Sequence, residues 1–171
     1  MVLERKGLDK IVEIAQQISD DWNIKIIGQG KGEERLREFL RERGCDRLQI
    51  NQFIPPWEVS SVLKEFEYVF CLTVDEPIPS FLNTLIEAVI CGATVVVGSD
   101  FDLTQYQDII SNIYDNILVV PLDDPSEMTN LLLSHWKERQ NKSLNRINIL
   151  PMYQSYIDHN LRILHPLERT L

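Results

Sequence analysis

Apolar residues recur along this chain with two different periods, one helical and one extended. In the first segment they have helical spacing, at Leu8, Ile11, Val12, Ala15 and Ile18. A short apolar run comes next and stops at Gly28, which predicts a strand over Asn23–Ile27. The same change of period repeats along the chain, so helices and strands are expected to alternate.

Four more strands and the helices between them follow from this pattern. Strands are predicted at Leu48–Asn51, Tyr68–Val74, Thr94–Val97 and Ile117–Val120. Helices are predicted at Glu33–Arg43, from Pro55-Pro56 through Phe66, from Ser80 to Cys91, near Leu103–Ile110 and from about Ser126 to Glu138. The strands are rich in Val and Ile and apolar on both faces, which is typical of parallel strands covered by helices on each side. The expected fold class is therefore α/β, with a doubly wound parallel sheet.

Length and charge indicate one globular domain. The 171 residues are enough for a single core, and we expect one domain over 1–171, with about 139–171 as a helical extension. The net charge of −9 disfavours binding to nucleic acid or to anionic lipid. No apolar run approaches the ~20 residues that cross a bilayer. The start of the chain also lacks a signal peptide, so a cytoplasmic location is expected.

The three cysteines, Cys45, Cys71 and Cys91, do not have the spacing of a metal site, and neither a metal nor another cofactor is expected. Cys71 and Cys91 are interpreted as small buried hydrophobic residues. His135 and Trp136 are interpreted as ordinary helix surface.

Two patterns that could indicate a ligand are set aside. The glycines that start at Gly28 do not complete the dinucleotide fingerprint, because Glu33 occupies the position of its third glycine. Asp100 and Asp102 form a D-x-D pair of the kind that binds metal in some transferases. The pair follows a strand, but we interpret it as a helix cap.

Candidate chemistry concentrates between Ser80 and Gly98. The helix predicted there has an apolar face made of Leu82, Leu85, Ile86, Val89 and Ile90. Asn83 and Glu87 lie one turn apart on its polar face. A helix that starts on Ser, Asn and Thr suits an anionic ligand such as a diphosphate, and the Glu87 carboxylate is placed to accept hydrogen bonds from sugar hydroxyls. The stretch therefore predicts a nucleotide-sugar site.

Six segments, in order along the chain, carry a resemblance to a known enzyme family. They are Arg5–Lys10, Ile26–Gly30 with Glu34–Leu36, Asn51–Pro55, Phe81–Val97, Ile117–Pro121 and Asp124–Glu127. Over residues 5 to 138 the chain resembles the C-terminal, donor-binding domain of the GT-B retaining glycosyltransferases of glycosyltransferase group 1. This resemblance implies a Rossmann-like domain that forms one half of a GT-B enzyme.

The resemblance also implies roles for individual residues. Lys6 would bind phosphate, Phe53 and Ile54 would hold the base through their backbone, and Glu87 would bind the ribose hydroxyls. Backbone N–H groups for the diphosphate or sugar would come from Ser80, Phe81, Leu82, Asn83 and Thr84. Gly28 and Gly30 would allow close backbone approach and positive φ. Plainer interpretations remain open: an exposed lysine, an apolar core pair and a surface carboxylate.

The chain departs from the family pattern at several positions. Pro79 stands where the family has a glutamate that contacts the donor sugar. Glu76, three residues upstream, takes that role if three residues are inserted here, and is otherwise a turn acid. Leu82 replaces a glycine, Thr94 replaces a proline, and the family's upstream phosphate-binding arginine has no counterpart in this sequence.

The implied activity is that of a hexosyltransferase. It would move a hexose from a nucleoside diphosphate sugar, such as a UDP- or GDP-hexose, to a glycan or lipid acceptor in polysaccharide biosynthesis. The acceptor would bind an N-terminal domain expected outside this chain, so the isolated domain is expected to be inactive alone. Peripheral association of the protein with a membrane through that domain is left open. The alternative is a nucleotide-binding or interaction module of the same fold that has lost donor chemistry.

Overall fold

The computed structural model describes residues 7–19, 22–28, 32–45, 48–72, 82–106 and 114–141. Five α-helices and five strands lie within these ranges. The helices are α1 Leu8–Gln17, α2 Glu33–Glu42, α3 Pro56–Leu63, α4 Leu82–Ile90 and α5 Pro125–Asn141. The strands are β1 Lys25–Ile27, β2 Gln49–Asn51, β3 Tyr68–Cys71, β4 Thr94–Gly98 and β5 Ile117–Val120. Short 3-10 helices occupy Leu103–Tyr106 and Tyr114–Asn116.

The strands form two sheets in which every pairing is parallel. One sheet contains β1 and β2, and the other has the order β3-β4-β5. Ile26 lies opposite Ile50 in the first sheet, and Val96 lies opposite Phe70 and Leu118 in the second. The predicted α/β class with parallel strands is confirmed. The single continuous sheet is not found among the described residues, because none of their pairings joins β1 to β3.

The core lies on both faces of β4, as expected of a doubly wound domain. Val95 and Val97 pack in a cluster with α4, whereas Val96 packs on the opposite face with α1 and α5. All three valines are fully buried. Burial of such a side chain stabilises a fold by about 1.5–3 kcal/mol relative to leaving it exposed.

Helix α1 contributes to two separate clusters through two of its faces. Ile11 and Ile14 pack with residues of β3, β4 and α5. Val12 and Ala15 pack with α2 and with the β1–β2 sheet. The helix therefore lies against both sheets.

Several element boundaries differ from the prediction. The helix expected near Leu103–Ile110 is a 3-10 turn over Leu103–Tyr106, and residues 107–113 lie outside the described ranges. Asp102 accepts a hydrogen bond from the Thr104 N–H at 3.0 Å, which confirms the capping interpretation of this aspartate. Helix α5 runs from Pro125 to Asn141 and is longer than predicted at both ends.

The interpretation of the end of α5 as ordinary surface is wrong. The Tyr68 hydroxyl hydrogen-bonds His135 Nδ1 at 2.9 Å. Trp136 lies 5.9 Å from Trp22 between ring centroids, and Trp22 lies 5.7 Å from Tyr68. These rings seal the amino end of the larger sheet, because aromatic pairs at such distances pack favourably. None of the described helices is long and apolar enough to cross a bilayer.

Candidate functional site

The candidate residues of the site lie where the parallel strands end. Gly28 follows β1, and its N–H donates to the Asn51 carbonyl at 3.3 Å. Phe53 and Ile54 follow β2, and Leu72 follows β3. Because the carboxyl ends of parallel strands meet at one edge, ligands in open α/β sheets bind there. The predicted site residues that follow β1 and β2 therefore lie at one edge of the molecule.

A cavity of about 1250 Å³ includes this edge and extends to Trp22 and Trp136 near the amino ends of the strands. Gly28, Phe53, Ile54 and Thr84 all line it, so the structure brings together four predicted residues from three separate motifs. The side chain of Phe53 is 59% exposed. The interpretation of Phe53 as a core residue is therefore wrong, whereas Ile54 is half-buried. An exposed aromatic ring beside a cavity is suited to packing against a planar ligand group.

Helix α4 begins at Leu82 and carries three predicted side chains. Thr84 is exposed and lines the cavity, whereas Asn83 is exposed and Glu87 is half-buried. Neither Asn83 nor Glu87 belongs to the described lining of the cavity. Since residues three or four apart share a helix face, Glu87 lies one turn away from Thr84.

The surroundings of Glu87 include groups on α3. The Cys91 thiol donates to the Ser60 carbonyl at 3.5 Å. Burial raises the pKa of this thiol, the positive charge of Lys64 lowers it, and the negative charge of Glu87 raises it. Glu87 on α4 and Lys64, directly after α3, therefore act on one thiol. Cys91 is only half-buried, so its predicted full burial is wrong, whereas the predicted burial of Cys71 is confirmed.

Two glycines near this edge, Gly28 and Gly7, differ in backbone conformation and in the space around them. Gly28 does not have a positive φ, and a Cβ added there would meet nothing within 4 Å. Gly28 therefore does not use the positive φ that a glycine allows. Gly7, which comes directly before α1, has φ +62°, and a Cβ there would lie against the Leu72 carbonyl. The backbone of Gly7 thus approaches the end of β3 closely.

Five of the predicted site residues lie outside the described ranges. They are Lys6, Gly30, Glu76, Ser80 and Phe81. Their roles remain predictions, and so does the expectation of a site without metal.

Sequence reasoning missed most of the residues that line the same cavity, and two of them begin a helix. They are Gly32 and Glu33, at the start of α2. A glycine followed by two acids marks a helix start. This signal predicts the helix, but it does not predict that the first turn of the helix lines the cavity.

The comparison with known families identifies the family of this chain. The sequence model of the family described as glycosyl transferases group 1 matches residues 1–138. The chain belongs to the glycosyl transferases group 1 family. This membership confirms the family to which the six motif segments pointed.

A solved structure agrees with this assignment. The catalytic domain of cholesterol-alpha-glucosyltransferase from Helicobacter pylori superimposes with a TM-score of 0.57 at 13% sequence identity. The match covers 93% of this chain and 91% of that chain. At this identity the likeness establishes the fold alone: this group 1 glycosyltransferase chain has a GT-B, Rossmann-like architecture.

Proposed function

We propose that this chain is the donor-binding domain of a retaining glycosyltransferase that transfers a hexose from a nucleoside diphosphate sugar. The observation that carries the proposal is the shared cavity. Gly28, Phe53, Ile54 and Thr84 come from three separate motifs and line one cavity at the carboxyl edge. This is the edge at which α/β sheets bind nucleotides.

The proposed roles follow the order of the groups along the donor. The base lies against Phe53 and the backbone of Ile54. The diphosphate lies at the amide end of α4, where the helix dipole and the N–H groups favour an anion. Lys6 adds a flexible positive charge at the diphosphate.

Transfer requires the bond between the sugar C1 and the diphosphate oxygen to break, so that one further negative charge develops on the departing diphosphate. The amide end of α4 and Lys6 stabilise this charge as it develops, and this stabilisation accelerates bond cleavage at the sugar. Glu76 is the proposed contact to the donor sugar. A second domain supplies the acceptor, so we expect this chain to bind the donor without turning it over.

An interaction module without donor chemistry is the second candidate. It is favoured by the position of Glu87, which lies off the described cavity lining and acts on Cys91 together with Lys64. In that case the carboxylate balances Lys64, the residue directly after α3, and does not contact ribose.

Glu87→Gln distinguishes the two candidates. Calorimetry with UDP, GDP, ADP and their hexose conjugates gives the affinity of each, and a ligand at 100 times its Kd also raises stability by about 2.7 kcal/mol. If Glu87 binds ribose, the substitution weakens the best ligand by roughly 10- to 100-fold, since hydrogen bonds to a charged group contribute about 1.5–3 kcal/mol.

The matched control is Glu38→Gln. Glu38 is exposed on α2 and does not belong to the described lining of the cavity. It should leave every affinity unchanged. If Glu87→Gln leaves the affinities unchanged, Glu87 does not bind the donor. If none of the nucleotides and conjugates binds the wild-type chain, the result supports the interaction module.

A further inference from the structure

Two acidic residues open helix α2, and they differ in their relation to the cavity. Gly32 is the N-cap of the helix, and Glu33 and Glu34 lie in its first turn. Gly32 and Glu33 line the cavity together with Gly28, whereas Glu34 is exposed and does not belong to the described lining. Of the two carboxylates, that of Glu33 is therefore the one that a ligand in the cavity can reach.

The packing of α2 on the β1–β2 sheet gives Glu33 this position. Leu36 and Leu40 are buried in a cluster that includes Ile26 of β1 and Ile50 of β2. Residues three apart share a helix face, so Glu33 lies on the same side of α2 as Leu36. Because α2 connects two parallel strands, it begins at the carboxyl end of β1. Its first turn therefore lies at the carboxyl edge of the sheet.

A neighbouring arginine fixes the orientation of the Glu33 carboxylate. Arg37 donates from Nε at 3.2 Å and from Nη2 at 2.8 Å, and both hydrogen bonds end on Glu33 Oε1. Each carboxylate oxygen has its own acceptor positions, and these two bonds leave those of Oε2 unused. The Glu33 side chain is 40% exposed. It is thus accessible to a ligand while its orientation is held.

The other charged residues of the described lining lie away from the carboxyl edge. Lys25 is the first residue of β1, and Glu65 and Glu67 come just before β3, so these three lie at the amino ends of the strands. Lys25 also pairs with Glu65 at 3.8 Å. The lining residues around Glu33 are apolar: Ile27, Leu36, Ile50, Phe53 and Ile54. A charged group in an apolar part of a cavity orients a ligand and gives specificity.

Nucleotide bases differ in what they present to a carboxylate. Guanine has two adjacent donors on its Watson–Crick edge, N1–H and the N2 amino group. Uracil has one N–H between two carbonyl groups, and adenine and cytosine have an amino group beside an unprotonated ring nitrogen. Because an ionised carboxylate only accepts hydrogen bonds, guanine offers it two of them without an opposing acceptor.

We propose that Glu33 selects the base of the nucleotide donor and that the selected base is guanine. This inference rests on the proposed function, which places the base against Phe53 and the backbone of Ile54. Both residues line the same cavity as Glu33. A base packed on the exposed Phe53 ring then presents its edge to the Glu33 carboxylate. Hydrogen bonds to an ionised acceptor are about twice as strong as those between neutral groups, which suits a residue that decides specificity.

Calorimetry of the whole chain with GDP, IDP, UDP and ADP tests this proposal. IDP is GDP without the N2 amino group, so the two ligands differ by one hydrogen bond to Glu33. We expect GDP to bind about 10-fold or more tightly than IDP, the usual effect of one hydrogen bond to a charged group. UDP and ADP should bind more weakly than GDP.

Glu33→Ala identifies the residue that is responsible. Since this variant lacks the acceptor for the N2 amino group, the ratio of the IDP and GDP dissociation constants should fall to about 1. Glu34→Ala is the matched control, because it removes the same charge from the same helix turn at a residue outside the described lining. It should keep the wild-type ratio. A loss of folded protein lowers both affinities equally, so the ratio reports the contact and not stability.

The possible failures of this inference and of the proposed function are distinguishable. Equal affinities for GDP and IDP, tighter binding of UDP or ADP than of GDP, or a ratio that survives Glu33→Ala overturns the role of Glu33 and retains donor binding. Absence of binding by all four nucleotides overturns both.

Discussion

Gly7 and Gly44 have almost the same backbone conformation in very different surroundings. Their φ angles are +62° and +64°. A Cβ at Gly7 would lie against Leu72, whereas a Cβ at Gly44 would meet nothing within 4 Å. A comparison of the two positions therefore separates the conformational cost of a side chain at positive φ from the cost of a steric clash between that side chain and Leu72.

We expect Gly7→Ala to destabilise the domain more than Gly44→Ala. The Gly44 variant carries only the cost of the left-handed conformation, about 1–2 kcal/mol. The Gly7 variant adds overpacking against Leu72, which costs about 1–3 kcal/mol more. Urea unfolding of both variants measures this difference. Equal losses would mean that α1 shifts away from β3 at no cost.

Sequence reasoning predicted several residues of the cavity where a motif carried them, and it failed where the surroundings of a residue decide its conformation or exposure. Gly28, Phe53, Ile54 and Thr84 were predicted for one site and line one cavity. The conformation of Gly28 and the exposure of Phe53 were not predictable, because both depend on what packs nearby. Nothing in the local pattern distinguishes an exposed phenylalanine from a core one.

At the scale of elements, α5 shows how a helix is fixed at its start. The Asp124 carboxylate accepts the N–H groups of Ser126 and Glu127, both at 3.0 Å. Pro125 opens the helix with a preset φ. Two of the amides that a helix start leaves without partners are thereby satisfied.

Asp124→Ala should lower the free energy of unfolding by about 1 kcal/mol, the usual effect of removing an N-cap. Asp123→Ala is the matched control, because Asp123 is an exposed neighbour of the same charge. Chemical denaturation of the two variants gives the comparison. If both lose the same stability, the effect comes from charge near the helix and not from the cap.

Helices were easier to predict than the ends of elements. The 3.6-residue period placed α1, α2 and α5 to within a few residues, because each buries one apolar face. The ends depend on interactions that the period does not show. Asp102 stabilises only a short 3-10 turn, and the aromatic contacts of Trp136 hold the last turns of α5 against the sheet.

At the scale of the whole molecule, buried ionisable groups link stability to pH. Burial raises the pKa of the Cys71 thiol from 9.0 to about 12. Burial also raises the pKa of Tyr68 to about 12, although the nearby Arg139 charge lowers it. In both cases the folded state keeps a proton that the unfolded state releases. The stabilisation is complete below the unfolded pKa and is lost as the pH rises through the folded value.

We expect Cys71→Ala to reduce the alkaline loss of stability. Between pH 9 and 12 the wild-type thiol contributes a slope of up to about 1.4 kcal/mol per pH unit. The variant lacks this contribution and keeps that of Tyr68. Urea unfolding under reducing conditions at pH 8, 9, 10 and 11 measures both proteins. The difference between them should narrow as the pH rises, and parallel curves would show that the folded state does not suppress ionisation of Cys71.

The parallel α/β class was predictable because buried strands are short apolar runs separated by helices. The order in which the described strands pair was not. It depends on which strand edges meet, and a pattern of side chains says little about the order of strands across a sheet. Family membership over residues 1–138 supports the fold without fixing this local arrangement.

The two faces of α1 bear on how the domain loses its structure. Ile11 and Ile14 belong to the cluster of the larger sheet, and Val12 and Ala15 belong to that of the smaller one. Opening either sheet therefore exposes one side of a helix whose other side is still packed. Neither half reaches a low-energy partly unfolded state, because each leaves apolar area of α1 in water. The helix thus makes the two sheets a single cooperative unit.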